Sequence, residues 1–469
     1  MENQIPNEIK EITQKLIISE SDLNKVVSFL DQECQKGLNK ALHSDVDVKM
    51  YPTYVHAIPN NNTNYEEGKF LALDLGGSNF RVGLVELIDD DIEMSSQMYA
   101  LPEQLMHESG EKLFDYIADC LAKFMEEKAV KDKKLALGFT FSFPLKQEGL
   151  NKATLTQWTK GFKCPGVEGN DVVELLRQAL HRRNDIDVEI EAIVNDTTGT
   201  LMSCAYQIRD CRVGLVVGTG TNACYVEKVE HISDYFPDSE ITVLNPGQVI
   251  VNTELGAFGD NGVLDFIRTK WDKEVDTRSK NPGCQLFEKM SSGMYLGEIV
   301  RAILVDLIDR ELILNGLGSE KMNTPFAFKT QYISEIETDS SGKYDEIDRV
   351  LKELDLTHAT RDDCEIIKFV CSLVSTRAAQ LASAAVATIL NRIKRFNTTI
   401  AVDGSVYRKH PHFRKIMEET ICKLVNPRYK LVLSEDGSGK GAALTASVAV
   451  KQRKISREMN QESFAQQQQ

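Results

Sequence analysis

This sequence predicts an α/β fold built from a duplicated unit. Short apolar runs bounded by Gly or Asn alternate with amphipathic helical stripes along the chain, the pattern of layered α/β proteins. A run of hairpin, third strand, helix, strand, helix and strand in the first half returns more loosely in the second, beginning with a hairpin over 212–229. Each copy also opens on a Gly-rich hairpin turn, DLGGSN (74–79) in one and VGTGTN (217–222) in the other. A chain of 469 residues is long enough for two to four domains and several buried cores.

Taken in order, residues 1–18 are mostly polar and read as a frayed, flexible tail. Ser19 with Asp22 is a capping-box signal, and Leu23, Val26, Val27, Leu30 and Cys34 behind it recur at helical spacing. FLALDLG (70–76) and FRVGLVEL (80–87) form the first hairpin. Leu113, Ile117, Cys120, Leu121 and Phe124 share one helix face, LALGFTFSF (135–143) is a strand, Val173, Leu176 and Leu180 mark a helix, and EIEAIV (189–194) is a strand. RVGLVVG (212–218) and ACYVEKV (223–229) form the second hairpin. Helical patterns over 295–314 and, longest, over 365–396 follow, then strands TIAVDG (399–404) and KLVLS (430–434). The polar stretches 59–68 and 337–348 read as surface loops, and 451–469 as a polar, Gln-rich, low-complexity tail.

Composition narrows the function. Fifty-five Lys+Arg against 70 Asp+Glu give a formal charge of −15, which argues against nucleic acid as a partner, because phosphate backbones demand a clustered basic footprint. No uninterrupted apolar run approaches the ~20 residues of a membrane span, and the opening MENQIPNEIKE lacks the pattern of a secretory signal. The 10 Cys show no C-x-x-C pairing and read as reduced thiols of a cytoplasmic protein. His410 and His412 lie one residue apart with no cluster of further ligands, so no metal site is assigned.

The residues suited to chemistry cluster at turns. In the first hairpin, Gly76 and Gly77 let backbone N–H groups approach an anion, Ser78 and Asn79 add donors, Arg81 can neutralise phosphate, and Asp74 can hold Mg²⁺ through water. Gly218, Thr219, Gly220, Thr221 and Asn222 echo that loop in the second copy. Either turn alone equally suits an ordinary hairpin; two at matching points suggest two phosphate loops facing one cleft. Ser438 and Gly439, in SEDGSGKGAAL (434–444), sit where backbone meets a helix N-terminus. This stretch is not a P-loop, since Lys440 is followed by Gly441. Gly404 and Ser405 mark another strand-to-helix turn. Asn195 and Asp196 follow an apolar strand and precede a helix, a place for an acid–base carboxylate and equally for an N-cap. Ser142, Thr159, Lys160, Asn252, Glu254, Gln285 and Glu288 supply the short polar groups and carboxylates that a polyhydroxylated ligand requires.

Read together, LDLGGSNFRV, FSFP, WTKGF, NDTTGT, GTGTNACYVE, VNTELGAFGD, QLFEKM, VDGSVY and SEDGSGKGAAL resemble, in order, the segments of a hexokinase over roughly residues 20–450. The resemblance implies an actin-like ATPase (ribonuclease H-like) fold, with a duplicated unit forming two lobes around a cleft. It implies a hexokinase N-terminal region over 19–208, its small lobe mainly 70–206. A C-terminal, large-lobe region over 209–450 would have 21–69 packed on it. The implied reaction passes the γ-phosphoryl group of ATP, with Mg²⁺, to the 6-hydroxyl of glucose or a related hexose, the first step of glycolysis. By motif, Asp196 is the general base, with Lys160 beside it in the catalytic set. Ser142, Thr159, Lys160, Asn195, Asn222, Glu254, Gln285 and Glu288 hold the sugar; the loops at 76–81 and 218–222, with Asp74, Thr330, Gly404, Ser405, Ser438 and Gly439, hold ATP. The length matches a single catalytic unit, not the fused double form, and the opening Met1-Glu2-Asn3-Gln4 differs from the apolar start of mitochondrially docked members. Ser78 stands for a usual Thr, Leu255 for a common Trp and Lys440 for a frequent Arg, which leaves sugar preference open. Two other readings remain: an actin- or chaperone-like conformational ATPase, and a catalytically silent sugar sensor.

Overall fold

The computed structural model describes residues 5–39, 41–42, 45–55, 58–59, 65–77, 79–89, 91–232, 247–339, 342–426 and 428–467, with side chains as far as 458. The chain opens with α1 (Asn7–Thr13), α2 (Glu20–Gly37) and the short strand β1 (Tyr51–Pro52). The Ser19 hydroxyl caps α2 by accepting from the Asp22 N–H at 3.1 Å. Residues 5–18 are not a frayed tail: Ile5, Ile9, Leu16 and Ile18 are buried in the larger core beside α2. Four apolar side chains among polar neighbours suffice to dock the segment, and a tally of polar residues hides them.

The first sheet is built from β2 (Gly68–Leu75), β3 (Asn79–Ile88), β4 (Asp91–Ala100), β5 (Leu135–Phe141) and, beyond the small hairpin β6 (Leu145–Gly149)–β7 (Lys152–Leu155), β8 (Val188–Val194). Its order is β4-β3-β2-β5-β8, with β2, β3 and β4 antiparallel and β2, β5 and β8 parallel. Helices α3 (Gly110–Glu127) and α4 (Val172–Arg183) cover one face and share a core with Leu71, Phe139 and Ile193.

Helix α5 (Asp196–Gln207) leads into the second sheet, formed by β9 (Cys211–Val217), β10 (Thr221–Lys228) and β11 (Gln248–Asn252). Helices α6 (Lys270–Arg278), α7 (Leu286–Ser291), α8 (Leu296–Asp309), α9 (Glu320–Asn323), α10 (Thr330–Ile336), α11 (Asp345–Glu353) and α12 (Arg361–Ile393) come next. The chain then returns as β12 (Asn397–Asp403), α13 (Ser405–Lys409), α14 (Phe413–Leu424), β13 (Arg428–Leu433) and α15 (Gly437–Gln467). The sheet order is β1-β11-β10-β9-β12-β13. Setting aside the added β1, both sheets read third, second, first, fourth, fifth, with three antiparallel strands followed by parallel ones. Helix α12 alone is long and apolar enough, among the described residues, to cross a bilayer by composition, which the search for unbroken apolar runs passes over. In this fold 83% of its apolar window is buried, as the central helix of the larger core.

The closing helix of each unit packs on the other unit's sheet: α5 lies against β9 and α15 against β5, while α5 and α15 cross between the sheets. Glycines make these approaches possible. A Cβ on Gly138 of β5 would lie 2.0 Å from the Ala442 carbonyl of α15, and one on Gly214 of β9 would lie 2.2 Å from the Thr197 carbonyl of α5. At the crossing, a Cβ on Gly441 would lie 1.8 Å from the Gly199 carbonyl. A third core, with Leu201, Met202, Ala442 and Leu444, fills the space between the sheets.

This exchange moves a boundary. Residues from Gly437 onward belong by packing to the small lobe, although a division by sequence ends the large-lobe region at 450. The Gln-rich end is likewise not an irregular tail: α15 continues to Gln467, and Arg453 ties it to Glu189 at 2.9 Å and to Glu191. The stretch 337–348 is shorter as a loop than expected, because α11 begins at Asp345.

Candidate active site

The catalytic-type residues sit where strands end. Asp74 lies near the end of β2, Asp196 follows β8, and Asp403 ends β12. In open α/β sheets the crevice at the carboxyl ends of strands is the natural ligand site. Two pockets meet there. One is lined by Ser142, Phe143, Pro144, Thr159, Lys160, Asn195, Asp196, Asn222, Glu254, Gly256, Gln285 and Glu288, among others. The other is lined by Asp74, Gly76, Thr200, Gly218, Thr219, Gly220, Asp403, Gly404, Ser405 and Ser438. Ser142, Lys160 and Asp196 line both, so Asp196 stands on the wall the pockets share.

The first pocket is a web of oriented acceptors and donors. Asn252 Nδ2 donates to Glu254 Oε1 at 2.7 Å, and Asn222 Nδ2 donates to Asn252 Oδ1 at 2.8 Å. Asn195 Oδ1 accepts from the Thr197 N–H at 3.0 Å, capping α5 and fixing the turn that presents Asp196. The Thr221 N–H donates to Glu288 Oε2 at 3.2 Å, and Lys160 Nζ donates to the Ser142 carbonyl at 2.6 Å. Lys160, Glu254 and Gln285 all adopt left-handed backbone, with φ of 56°, 52° and 60°. Such strain, gathered in one pocket, marks a site whose geometry the surroundings impose. Carboxylates Asp260 and Glu288 hold their part of it: Asp260 accepts from the N–H groups of Gln285 and Leu286 at 2.9 and 2.8 Å.

Burial between the lobes raises the acids. It pushes the Glu254 carboxyl to about 7 and the Asp74 carboxyl to about 6, and lifts Glu288 and Asp403 above their ordinary values. Hydrogen bonds from Asn252 to Glu254, and from Ser438 to Asp74 at 2.5 Å, oppose that rise. A site that holds several desolvated acids favours ligands that donate hydrogen bonds, as hydroxyls do, or cations.

The second pocket is an anion cradle. Two long helices, α5 and α15, begin at its edge with Asp196 and Gly437, and helix N-termini with glycine loops supply N–H groups to phosphate oxygens. Gly404 has φ 114°, and a Cβ there would meet the Val217 carbonyl at 2.2 Å, so only glycine fits. Next to it lies a larger cavity of about 630 Å³ between α10, α11 and α13, lined by Thr219, Met294, Thr330, Gln331, Arg349, Ser405 and Lys409 among others. Its volume suits a nucleoside-sized ligand.

Family models described as hexokinase match residues 8–206 and 212–448. The chain belongs to the hexokinase family. It is 48% identical over 443 residues to human hexokinase-2, covering 92% of this chain and 47% of that protein. It is 46% identical over 456 residues to rat hexokinase-2, covering 94% and 48%. The chain thus spans about half the length of the curated relatives it matches. The hexokinase of Schistosoma mansoni, solved in complex with glucose, superposes with a TM-score of 0.89 at 41% identity, covering 95% of this chain and 99% of that one. The fold is therefore the two-lobed actin-like ATPase fold of hexokinases.

Nine of the ten sugar-type residues singled out by sequence line the first pocket of this hexokinase-family chain: Ser142, Thr159, Lys160, Asn195, Asp196, Asn222, Glu254, Gln285 and Glu288; the tenth, Asn252, is not in that lining and instead donates to Glu254. Of the nucleotide-type residues, Asp74, Gly76, Gly218, Thr219, Gly220, Gly404, Ser405 and Ser438 line the second, Thr330 lines the larger cavity, and Thr221 falls in the first. Gly77, Asn79, Arg81 and Gly439 line none of the three. Asn79 is exposed, and Arg81 is paired with the half-exposed Asp436. Ser78 lies outside the described residues. Asp403 was missed, although it ends an apolar strand as Asp74 and Asp196 nearly do. Arg349, which lines the larger cavity while paired with Glu335, Glu346 and Glu353, carries no signal in the sequence, being one charged residue on the polar face of α11. Among the described residues no group of three or more His, Cys, Asp or Glu side chains is placed to hold a metal ion.

Proposed function

We propose that the chain phosphorylates the 6-hydroxyl of glucose and related hexoses with ATP. The observation that carries this is Asp196 on the shared wall of a hydroxyl-binding pocket and an anion cradle. Phosphoryl transfer needs positioning and electrostatic stabilisation more than covalent work by the protein. The first pocket fixes the sugar: Glu254, Glu288 and Asn222 accept and donate to its hydroxyls, and Ser142, Thr159 and Lys160 close over it from the other lobe. Asp196 accepts the proton of the 6-hydroxyl as that oxygen attacks the γ-phosphorus. Lys160, with a carboxylate-rich wall around it, adds positive charge at the junction of the two pockets. The Gly218–Gly220 loop, Gly404, Ser405 and Ser438 hold phosphate oxygens, and the larger cavity takes the nucleoside.

Magnesium fits the oxygen donors present. Asp74 and Asp403 are desolvated carboxylates on the phosphate cavity, and Mg²⁺ favours one or two carboxylates with phosphate and water completing its shell. Bound there, the ion would screen the charge of the ATP phosphates. The Schistosoma mansoni hexokinase named above as a glucose complex supports the sugar assignment. The proposed compartment is the cytoplasm, since all ten cysteines are free thiols and only Cys284 and Cys422 are exposed.

The deciding experiment is a coupled assay of hexose 6-phosphate formation from MgATP with glucose, mannose, fructose and glucosamine. Saturable phosphorylation is expected. ATP hydrolysis indifferent to sugar would instead favour a conformational ATPase, and sugar binding without phosphorylation a sensor.

A further inference from the structure

We propose that the buried contact between His410 and Glu337 holds two walls of the nucleoside cavity in register, so that this pair sets ATP affinity without touching substrate. The inference rests on the reading of that cavity as the nucleoside site. Helix α10 contributes Thr330, Gln331, Ser334 and Glu335 to the cavity, and α13 contributes Ser405, Val406 and Lys409. Each helix ends on a member of the pair: Glu337 is the residue that closes α10, and His410 the one that closes α13. Their side chains are only 7% and 3% exposed, and His410 Nε2 lies 3.2 Å from Glu337 Oε1. Among the described residues no direct hydrogen bond or ion pair joins α10 to α13, so the pair just beyond their ends is what links them.

The chemistry around the pair orients it. His410 Nδ1 accepts the His412 backbone N–H at 3.3 Å, which leaves the ring proton on Nε2, facing the carboxylate. That nitrogen is buried, makes no hydrogen bond of good geometry, and lies 3.2 Å from the Glu337 carboxylate as its nearest charged group. Ser375, on the central helix α12, donates its hydroxyl to the same Glu337 oxygen at 2.7 Å. The far end of α10 is fixed separately, because Thr330 Oγ1 accepts the Gly297 N–H of α8 at 2.8 Å. The α10 wall is therefore held at both ends, to α8 by Thr330 and to α12 and α13 by Glu337. Without His410, the end of α10 keeps Ser375 and α13 loses its tie to α10, so Thr330 and Ser405 are free to separate across the cavity.

The test is calorimetric titration of a magnesium-loaded, non-hydrolysable ATP analogue into full-length protein, alongside steady-state KM values for ATP and glucose. His410→Leu removes the contact and leaves Glu337 facing an apolar side chain, and is expected to weaken analogue binding by roughly 10-fold, the scale of one buried polar group left without its partner, while the KM for glucose stays within about 2-fold. Glu337→Gln keeps an oxygen for both the imidazole and Ser375, and is expected to bind within about 3-fold of the natural chain. Should His410→Leu not fold, His410→Phe, which keeps a ring in that place and lacks the nitrogen facing Glu337, reads the same loss of roughly 10-fold. Unchanged analogue binding in the tie-removing variant would overturn the proposal. So would a glucose KM that rises in proportion, which is general damage, or a loss in Glu337→Gln as large as in His410→Leu. Because binding of the analogue needs no sugar, a protein that failed to phosphorylate glucose would refute the function proposed above and leave this comparison readable.

Discussion

Substituting one atom group at the crossing of α5 and α15 tests how tightly the catalytic acid is placed. In Gly441→Ala the new Cβ would stand 1.8 Å from the Gly199 carbonyl oxygen and 2.5 Å from the Gly199 Cα. A carbon and an oxygen rest at about 3.3 Å or more, so the helices must part by roughly 1.5 Å, backbone against backbone, with no flexible side chain to yield. Overpacking of that kind costs about 1–3 kcal/mol, a fall in Tm of roughly 1–3 °C for a protein of this size. The larger effect is on rate. Asp196 begins α5 three residues before Gly199, and a shift of about 1 Å at a reacting group costs on the order of 100-fold. The assay pairs thermal unfolding with coupled detection of glucose 6-phosphate. Gly149→Ala serves as the control, since its nearest neighbour would be the Lys152 Cβ at an ordinary 3.7 Å. Turnover and Tm in Gly441→Ala equal to those of the control would refute the argument that backbone contact at the crossing sets the position of Asp196.

Asp196→Ala should keep measurable glucose binding by calorimetry while turnover falls ~100-fold or more; near-normal turnover would remove Asp196 from its role. Glu254→Gln should gain stability on the natural chain as pH rises. The Glu254 carboxyl sits at about 7 instead of its usual 4.5, so its stabilising neutral form is present below pH 4.5 and is lost through pH 7. The difference approaches an upper limit of roughly 3 kcal/mol at pH 8, read as a pH-dependent gap between the two Tm values; a gap that is flat from pH 5 to 8 contradicts it. Glucose affinity should fall in the same variant, because an amide is a weaker acceptor than a carboxylate. Ile9→Ala should cost about 2–4 kcal/mol, as for a buried apolar side chain, and denaturant unfolding with an unchanged midpoint would return residues 5–18 to the status of a loose tail.

The site was more legible in the sequence than the way it is assembled. Asn195 and Asp196 stand out because a polar pair follows an apolar strand, and Gly218–Gly220 because glycines interrupt one. Those signals are local. Strand β4 left only a weak one: Ile92, Met94 and Met98 share a face, but Ser96 interrupts them and polar residues surround them at an exposed edge. Gly138 and Gly214 look like ordinary strand glycines until the helices crossing them are seen. No pattern in α5 or α15 states which sheet it covers, because apolar faces of Ala, Leu and Met fit either one. Arg81 shows the same limit: its charge suits phosphate, and its partner in the fold, Asp436, is distant in sequence.

The swapped helices also have a consequence for synthesis. The face of the first sheet that α15 covers is complete by Val194, yet its cover begins at Gly437. During translation that face waits, exposed and apolar, for more than half of the chain to be made. The N-terminal half expressed alone would keep the same open face, and adding residues 437–467 as a separate peptide would be the direct way to close it.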